Sequence, residues 1–538
     1  MAGEVVLSPH PDVTIPDVPL HEFVLADAMG RADQAALIDG PSGRTLTYGQ
    51  LAGGVRRLAA GLAARGFAKG DVFAIYSPNL PEYALAFYGV SAAGGVNTTV
   101  SPLYTTDELT RQLGDARARF LLTVPPFLDK ALEAAGRSGV EEVFVLGEAE
   151  GATPFTTLLA AGEPTDRGTP SGFPGPLQPP AVEIDPANDL VALPYSSGTT
   201  GVNKGVMLTH RNLVANLCQG EPVLLAGEGE RLIAVLPFFH IYGLVVLMAA
   251  ALSRGSTLVT MPRFDLEQFL RLLQDQRITR AYVAPPIVLA LAKHPLVDNY
   301  DLSSLKSIFS GAAPLDASLE RACAERLDCE VMQGWGLTET SPVVTTNYNT
   351  PQGPRPGSVG VPLPNTEMRV VDPATGADVS RGETGELLVR GPQVMKGYLN
   401  APEATAAMLD PDGWLHTGDL GMIDADGYVY IVDRVKELIK YKGLQVAPAE
   451  LEATLLSHPA VSDAAVVRFP DEEAGEVPKA FVVASAPVDP EELMAFVAER
   501  VAPHKKIRQV EFVDEIPKAA SGKILRRVLM DRDRQAAG

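Results

Sequence analysis

Apolar residues recur with two different periods along this chain of 538 residues. The alternation between those periods gives the first account of its architecture. Leu51, Val55, Leu58 and Leu62 fall on one face of a helix, with Thr47 and Gln50 forming a capping box ahead of it and Gly66 closing it. Short apolar runs at 72–76 and 120–124 read as buried strands, and 81–93 between them reads as a helix. This rhythm predicts α/β architecture with mainly parallel sheets. A stretch with six prolines, 163–180, is a loop leading to a buried strand at 189–193. A second α/β stretch runs to about residue 341. Proline- and glycine-rich sequence at 351–364 and short strands such as 386–390 then predict a smaller β-rich subdomain. Towards the C-terminus, helices at 448–457 and 490–501 and strands at 463–468 and 479–485 predict a small α+β domain of roughly a hundred residues.

Composition narrows the function. The net charge of −21 argues against a nucleic-acid binder and against tight binding to anionic membranes. A local basic cleft can still hold a polyanionic ligand. The three cysteines, Cys218, Cys323 and Cys329, lack metal-ligand spacing and are expected to be buried small hydrophobes in a reducing compartment. The N-terminus lacks the pattern of a secretory signal, and the longest apolar run, 241–252, is too short to span a membrane. A cytoplasmic location is expected; nothing in the sequence specifies an oligomeric state.

The densest candidate chemistry lies in Tyr195–Gly205, which reads YSSGTTGVNKG. Ser196, Ser197, Thr199 and Thr200 offer hydroxyl donors, Gly198 lets backbone N–H groups approach a polyphosphate, and Lys204 supplies positive charge. A Walker loop is excluded by register. Counted from Gly198, its Gly-Lys-Ser/Thr would fall on Asn203, Lys204 and Gly205.

This segment resembles the signature of the adenylate-forming superfamily of acyl-CoA synthetases and luciferases. So do, in order, 333–339 (QGWGLTE), 385–391 (GELLVRG), 413–419 (GWLHTGD), 433–443 (DRVKELIKYKG) and 517–523 (PKAASGK). Within the superfamily, 237–243 (PFFHIYG) and 440–451 are most similar to 4-coumarate–CoA ligases. The resemblance implies a large N-terminal domain over 1–433 and a mobile lid over 434–538. It also implies a two-step reaction, in which a small carboxylic acid attacks ATP to give acyl-AMP and CoA then displaces AMP, with Mg²⁺ required.

The same resemblance assigns roles. Ser196, Ser197, Gly198, Thr199, Thr200 and Lys204 would hold phosphates. Gln333, Gly334 and Trp335 would meet the nucleotide, with Trp335 stacking on adenine where relatives more often carry tyrosine. Thr338 would contact the α-phosphate, Glu339 would bind Mg²⁺ through hard oxygen, and Asp419 with Arg434 would hold the ribose. Lys523 would stabilise charge during adenylation. Lys436 matches a hinge, and Lys440 with Gln445 would face the adenylate in the thioester-forming state. Arg263, Lys442 and Gly443 would contact CoA. His240, Ile241, Tyr242, Val245, Tyr282, Phe309, Gly311, Ala312, Gly336, Pro342, Val343 and Val344 would line or adjoin the acyl slot.

Besides Trp335, two departures stand out: Asn203 replaces a usual proline, and Phe309 replaces the lysine common in plant-type ligases. Phenylalanine predicts an apolar floor that favours weakly polar rings. The rival activities are a medium-chain fatty acyl-CoA synthetase and, outside enzymes, a nucleotide-binding sensor.

Overall fold

The structure, a computed structural model, describes residues 5–160, 181–196, 203–223, 227–442, 444–471, 473–519 and 522–536. The loop expected at 163–180 lies outside these residues. The predicted first helix spans Tyr48–Ala64, and its capping box is complete, with Gln50 N donating to Thr47 Oγ1 at 3.2 Å and Thr47 N to Gln50 Oε1 at 2.9 Å. Gly66 closes it at φ +75°. All four of its predicted face residues are buried; each buried leucine of this kind stabilises by about 1.5–3 kcal/mol.

Four sheets organise the chain. Val72–Tyr76, Val96–Thr99, Ala118–Thr123 and Glu142–Val145 form the parallel core of one nine-stranded sheet, which Lys204–Thr209 joins antiparallel. A second nine-stranded sheet is parallel from Ala35–Asp39 through Thr257–Thr260, Arg231–Ala234, Arg280–Val283 and Ser307–Ser310 to Glu330–Gly336. Helices Tyr48–Ala64 and Pro81–Ala92 share one large core with facing side chains of both sheets.

A five-stranded antiparallel sheet, ending in Leu415–Ile423 and Val429–Arg434, is the predicted β-rich part. The fourth sheet, built from Ile439–Tyr441, Leu444–Val446, Val461–Asp471, Gly475–Ala484 and Gln509–Phe512, encloses its own core around Leu451, Val466, Val482 and Leu493. The chain is therefore mixed α/β, with a large N-terminal domain and a smaller C-terminal one. Cys218 and Cys323 are buried as expected, but Cys329 is only half-buried, because it follows the helix Ala317–Leu327 at its exposed end.

Candidate active site

The C-terminal end of Glu330–Gly336, the last two strands of the β-rich sheet and Lys523 come together at one cleft. Antiparallel register sets Asp419 opposite Arg434. The Asp419 carboxylate is buried at 4% exposure; Arg434 Nε stands 3.1 Å from its Oδ1, and Trp335 Nε1 donates to Oδ2 at 2.9 Å. Two donors on separate elements thus orient this carboxylate before any hydroxyl-bearing ligand arrives.

Glu339 sits beside it on the short helical turn Thr338–Thr340 and is also buried. The Tyr398 hydroxyl donates to Glu339 Oε1 at 2.8 Å. Burial and the Glu339 charge raise the Tyr398 phenol above its usual range, so it stays a donor. Lys204 Nζ lies 5.5 Å from the Tyr398 ring centroid, and Lys204 is paired across the strands with Ser196. Ser197, Gly198, Thr199 and Thr200 lie outside the described residues. Asn203, the residue in place of proline, donates from Nδ2 to the Tyr104 hydroxyl at 2.8 Å. That bond is a side-chain tether where a proline would supply only a fixed φ.

Lys523 arrives on a tight turn in which Ala519 N donates to Lys523 O, and Gly522 N to Ala519 O, both at 2.8 Å. Gly522 has φ +85°, and a Cβ there would stand 2.8 Å from Ala284 Cβ. The turn therefore rests directly on the large domain. Burial, then the charges of Arg434 and Lys436, bring the Lys523 ammonium down to about 7, with Asp419 and Glu437 opposing. Burial and Lys523 bring His240 down to about 4, so its imidazole is neutral. The cleft concentrates cations within an acidic protein. Polyphosphate chemistry needs such an arrangement.

The acyl-slot residues lie next to it. Tyr242–Ala249 is a π-helical segment, a rare geometry that the uniformly apolar sequence there did not reveal. The Tyr242 hydroxyl donates to Phe309 O at 3.2 Å, and the Tyr282 and Phe309 rings lie 5.6 Å apart. A Cβ on Gly311 would come within 2.9 Å of the Tyr242 ring, so glycine is what admits that ring. Ile241, Tyr242, Val245, Tyr282, Phe309 and Val343 share one core, whereas Ala312 is exposed at φ +73°. Gly336 lies against Pro342 O.

Two expectations need correction. Val344 points to the opposite face of its strand and packs with Val6 and Met368, away from the slot. The Gln333 side chain is buried, donating to Leu315 O at 3.0 Å and Glu320 Oε2 at 2.7 Å. It fixes the strand from behind, and its carbonyl accepts from Asn347 N at 2.8 Å.

Residues 25–399 match the family model described as AMP-binding enzyme, and residues 450–523 match that of the AMP-binding enzyme C-terminal domain. The chain belongs to the AMP-binding enzyme family. This AMP-binding enzyme is 44% identical over 539 residues to 4-coumarate–CoA ligase 5 of Oryza sativa subsp. japonica, covering 98% of this chain and 97% of the relative. It superposes with a TM-score of 0.86 on the anthranilate CoA ligase AuaEII in complex with anthranoyl-AMP, at 28% identity and covering 97% and 98% of the two chains. It matches ATP-bound MatB from Rhodopseudomonas palustris at 0.85, with 29% identity and coverage of 96% and 99%.

Other expected site residues of this AMP-binding enzyme stand apart from the cleft. Lys440 is exposed, its backbone N donating to Glu476 Oε2 at 2.8 Å, and Gln445 lies opposite it across a hairpin. Lys442 pairs with Glu473 on the surface, and Arg263 is exposed on the large domain. Gly443 lies outside the described residues. Lys436 is half-buried, one residue beyond Val435, whose N–H donates to Gly418 O at 2.9 Å. Sequence reasoning missed Tyr398, which the bond from Met395 N to Glu339 O and the pairing of Gly397–Tyr398 with Lys204–Thr209 bring to Glu339. Among the described residues, no helix is long and apolar enough to cross a membrane.

Proposed function

We propose that this protein is an ATP-dependent acid–thiol ligase acting on hydroxycinnamate-like aromatic acids. The acid's carboxylate oxygen attacks the α-phosphorus of ATP and pyrophosphate departs. The CoA thiol then attacks the acyl carbon and AMP leaves. The observation that carries this reading is the docking of Lys523 beside the oriented Asp419–Arg434 pair. Likeness to the rice 4-coumarate–CoA ligase over nearly the whole chain supports the substrate class.

In this reading, Asp419 and Arg434 seize the ribose, Lys204 and the hydroxyls around it hold phosphates, and Trp335 lies against adenine. Thr338 contacts the α-phosphate, and neutral His240 borders the reacting carboxylate. Lys523 stabilises the charge that grows on the α-phosphate. Glu339 fits Mg²⁺ by its chemistry: it is a hard carboxylate held by Tyr398. Bound there with the phosphates, Mg²⁺ neutralises their charge. The domains divide at 433/434, and the smaller one then turns about Lys436 to bring Lys440 and Gln445 to the adenylate and Lys442 and Gly443, with Arg263, to CoA.

The reading is tested by supplying ATP, Mg²⁺ and CoA with cinnamate, 4-coumarate, octanoate or no acid. AMP and thioester should both form with the aromatic acids. A preference for octanoate would replace it with a fatty-acyl slot, and no product from any acid would leave only a nucleotide-binding protein.

A pH effect follows from Lys523. Its amine in the free protein titrates near 7 rather than 10.5, so between those values it is largely neutral when folded and charged when unfolded. The unfolded chain then binds more protons, so stability rises with pH across this window. Bound triphosphate restores the charge. At pH 8 to 9, ATP binding should take up about one proton through this group, measured by calorimetry in buffers of different ionisation enthalpy. Uptake unchanged in Lys523→Ala would refute the assignment.

A further inference from the structure

The strand face that carries the acyl slot continues deeper than the residues already described. Parallel register sets Tyr282 beside Phe309 and, one layer towards the strand N-termini, Arg280 beside Ser307. The alternate residues Ala281, Val283 and Ile308 face the opposite core. A small cavity touches both layers, bounded by Arg280, Tyr282, Ser307, Phe309, Met332 and Tyr348. A polar layer, Arg280 with Ser307, therefore lies directly behind the slot's expected floor.

Arg280 is a charged residue at 9% exposure, one layer behind the Tyr282–Phe309 ring pair. Its Nη1 donates to Ser307 Oγ at 2.9 Å and its Nη2 to Glu230 Oε1 at 3.2 Å, but its Nε has no partner. Lys306 also reaches Glu230 Oε1, at 3.0 Å. A buried guanidinium N–H without an acceptor is costly and calls for an explanation.

We propose that the acyl slot ends on Arg280 and Ser307, beyond the Tyr282–Phe309 ring pair, and that this polar end receives an oxygen on the distal end of the aromatic acid. The proposal rests on the ligase reading above and deepens it. It revises the expectation drawn from Phe309: the phenylalanine forms a wall, and the cation that plant-type ligases carry at its position is supplied one layer deeper. Guanidinium groups only donate, so the matching group is an acceptor. Glu230 already offsets the Arg280 charge, so an uncharged phenol or methoxy oxygen suits the site better than a second carboxylate.

The test uses the full chain and compares kcat/KM for 4-coumarate, 4-methoxycinnamate and cinnamate. Two variants serve: Arg280→Met combined with Glu230→Gln, which avoids stranding a buried carboxylate, and Ser307→Ala. The wild-type protein should favour the two oxygen-bearing acids. The double variant should lower the 4-coumarate-to-cinnamate ratio about tenfold, mainly through the KM for the acid, while cinnamate turnover holds. Ser307→Ala should move the ratio the same way by less, and decides the matter alone if the double variant does not fold. A wild-type preference for cinnamate, an unchanged ratio, or an equal fall for both acids overturns the proposal. If the wild-type protein makes no thioester from any of the three acids, the ligase reading itself has failed, and this proposal fails with it.

Discussion

Alanine in place of Lys523 is expected to slow acyl-adenylate formation about 10²- to 10³-fold, the size of effect seen when one preorganised donor to a developing oxyanion is removed. The amine sits in a half-buried cleft with Arg434 and Lys436 nearby and is brought down to about 7. That environment penalises the charge in the free protein and holds it ready for an anion. Because Lys523 and Lys440 lie on different parts of the small domain, and only Lys523 reaches the cleft here, the second half-reaction should be spared. The measurement is paired: AMP release from ATP and acid, and thioester formation from synthetic acyl-AMP and CoA. Equal loss in both assays would show that the lysine supports the fold rather than adenylation.

Gly522→Val should reproduce much of that loss without touching a charged group. At φ +85° a β-branched residue is strained, and its Cβ would stand 2.8 Å from Ala284 Cβ and 3.5 Å from Pro286 Cδ. Strain of about 1–3 kcal/mol, with a similar cost of overpacking, amounts to a loss of the docked state of roughly thirtyfold or more. Thioester formation from acyl-AMP should again survive, since Gly522 meets Ala284 only through the docked turn. The unfolding midpoint of the variant, followed by circular dichroism, separates this outcome from misfolding. A variant that keeps full adenylation would show that the turn does not need to rest on the large domain.

Much of this architecture was legible because it is local. The box of Thr47 with Gln50, the apolar face ending at Leu62 and the φ of Gly66 all depend on residues within one or two turns. The strand at Gly385–Arg390 and the helix at Pro448–Leu456 announce themselves in the same way. What stayed hidden depends on pairing between distant segments. No periodicity links Trp335 to Asp419, or Tyr398 to Glu339; packing between separate sheets and turns brings each pair together.

The π-helical Tyr242–Ala249 is apolar on every side, so its sequence carries no angular signal. Val344 falls on the wrong face because a two-residue period assigns neighbours to opposite faces, and the adjacent valines of Val343–Thr346 do not say which face holds the slot. Nothing in the sequence singles out Arg280, since its burial can be recognised only once Ser307 and Glu230 close around it.

Arg434 is both the partner of Asp419 and the last residue of Val429–Arg434, after which the chain leaves the β-rich sheet for the small domain. On the ligase reading proposed above, the same guanidinium would end a strand and begin a joint, so a nucleotide engaging Asp419 would also stiffen the point from which the small domain turns. Occupancy of the sugar site and freedom of that turn would then be one equilibrium, and departure of AMP would act as the release that resets the site for the next acid.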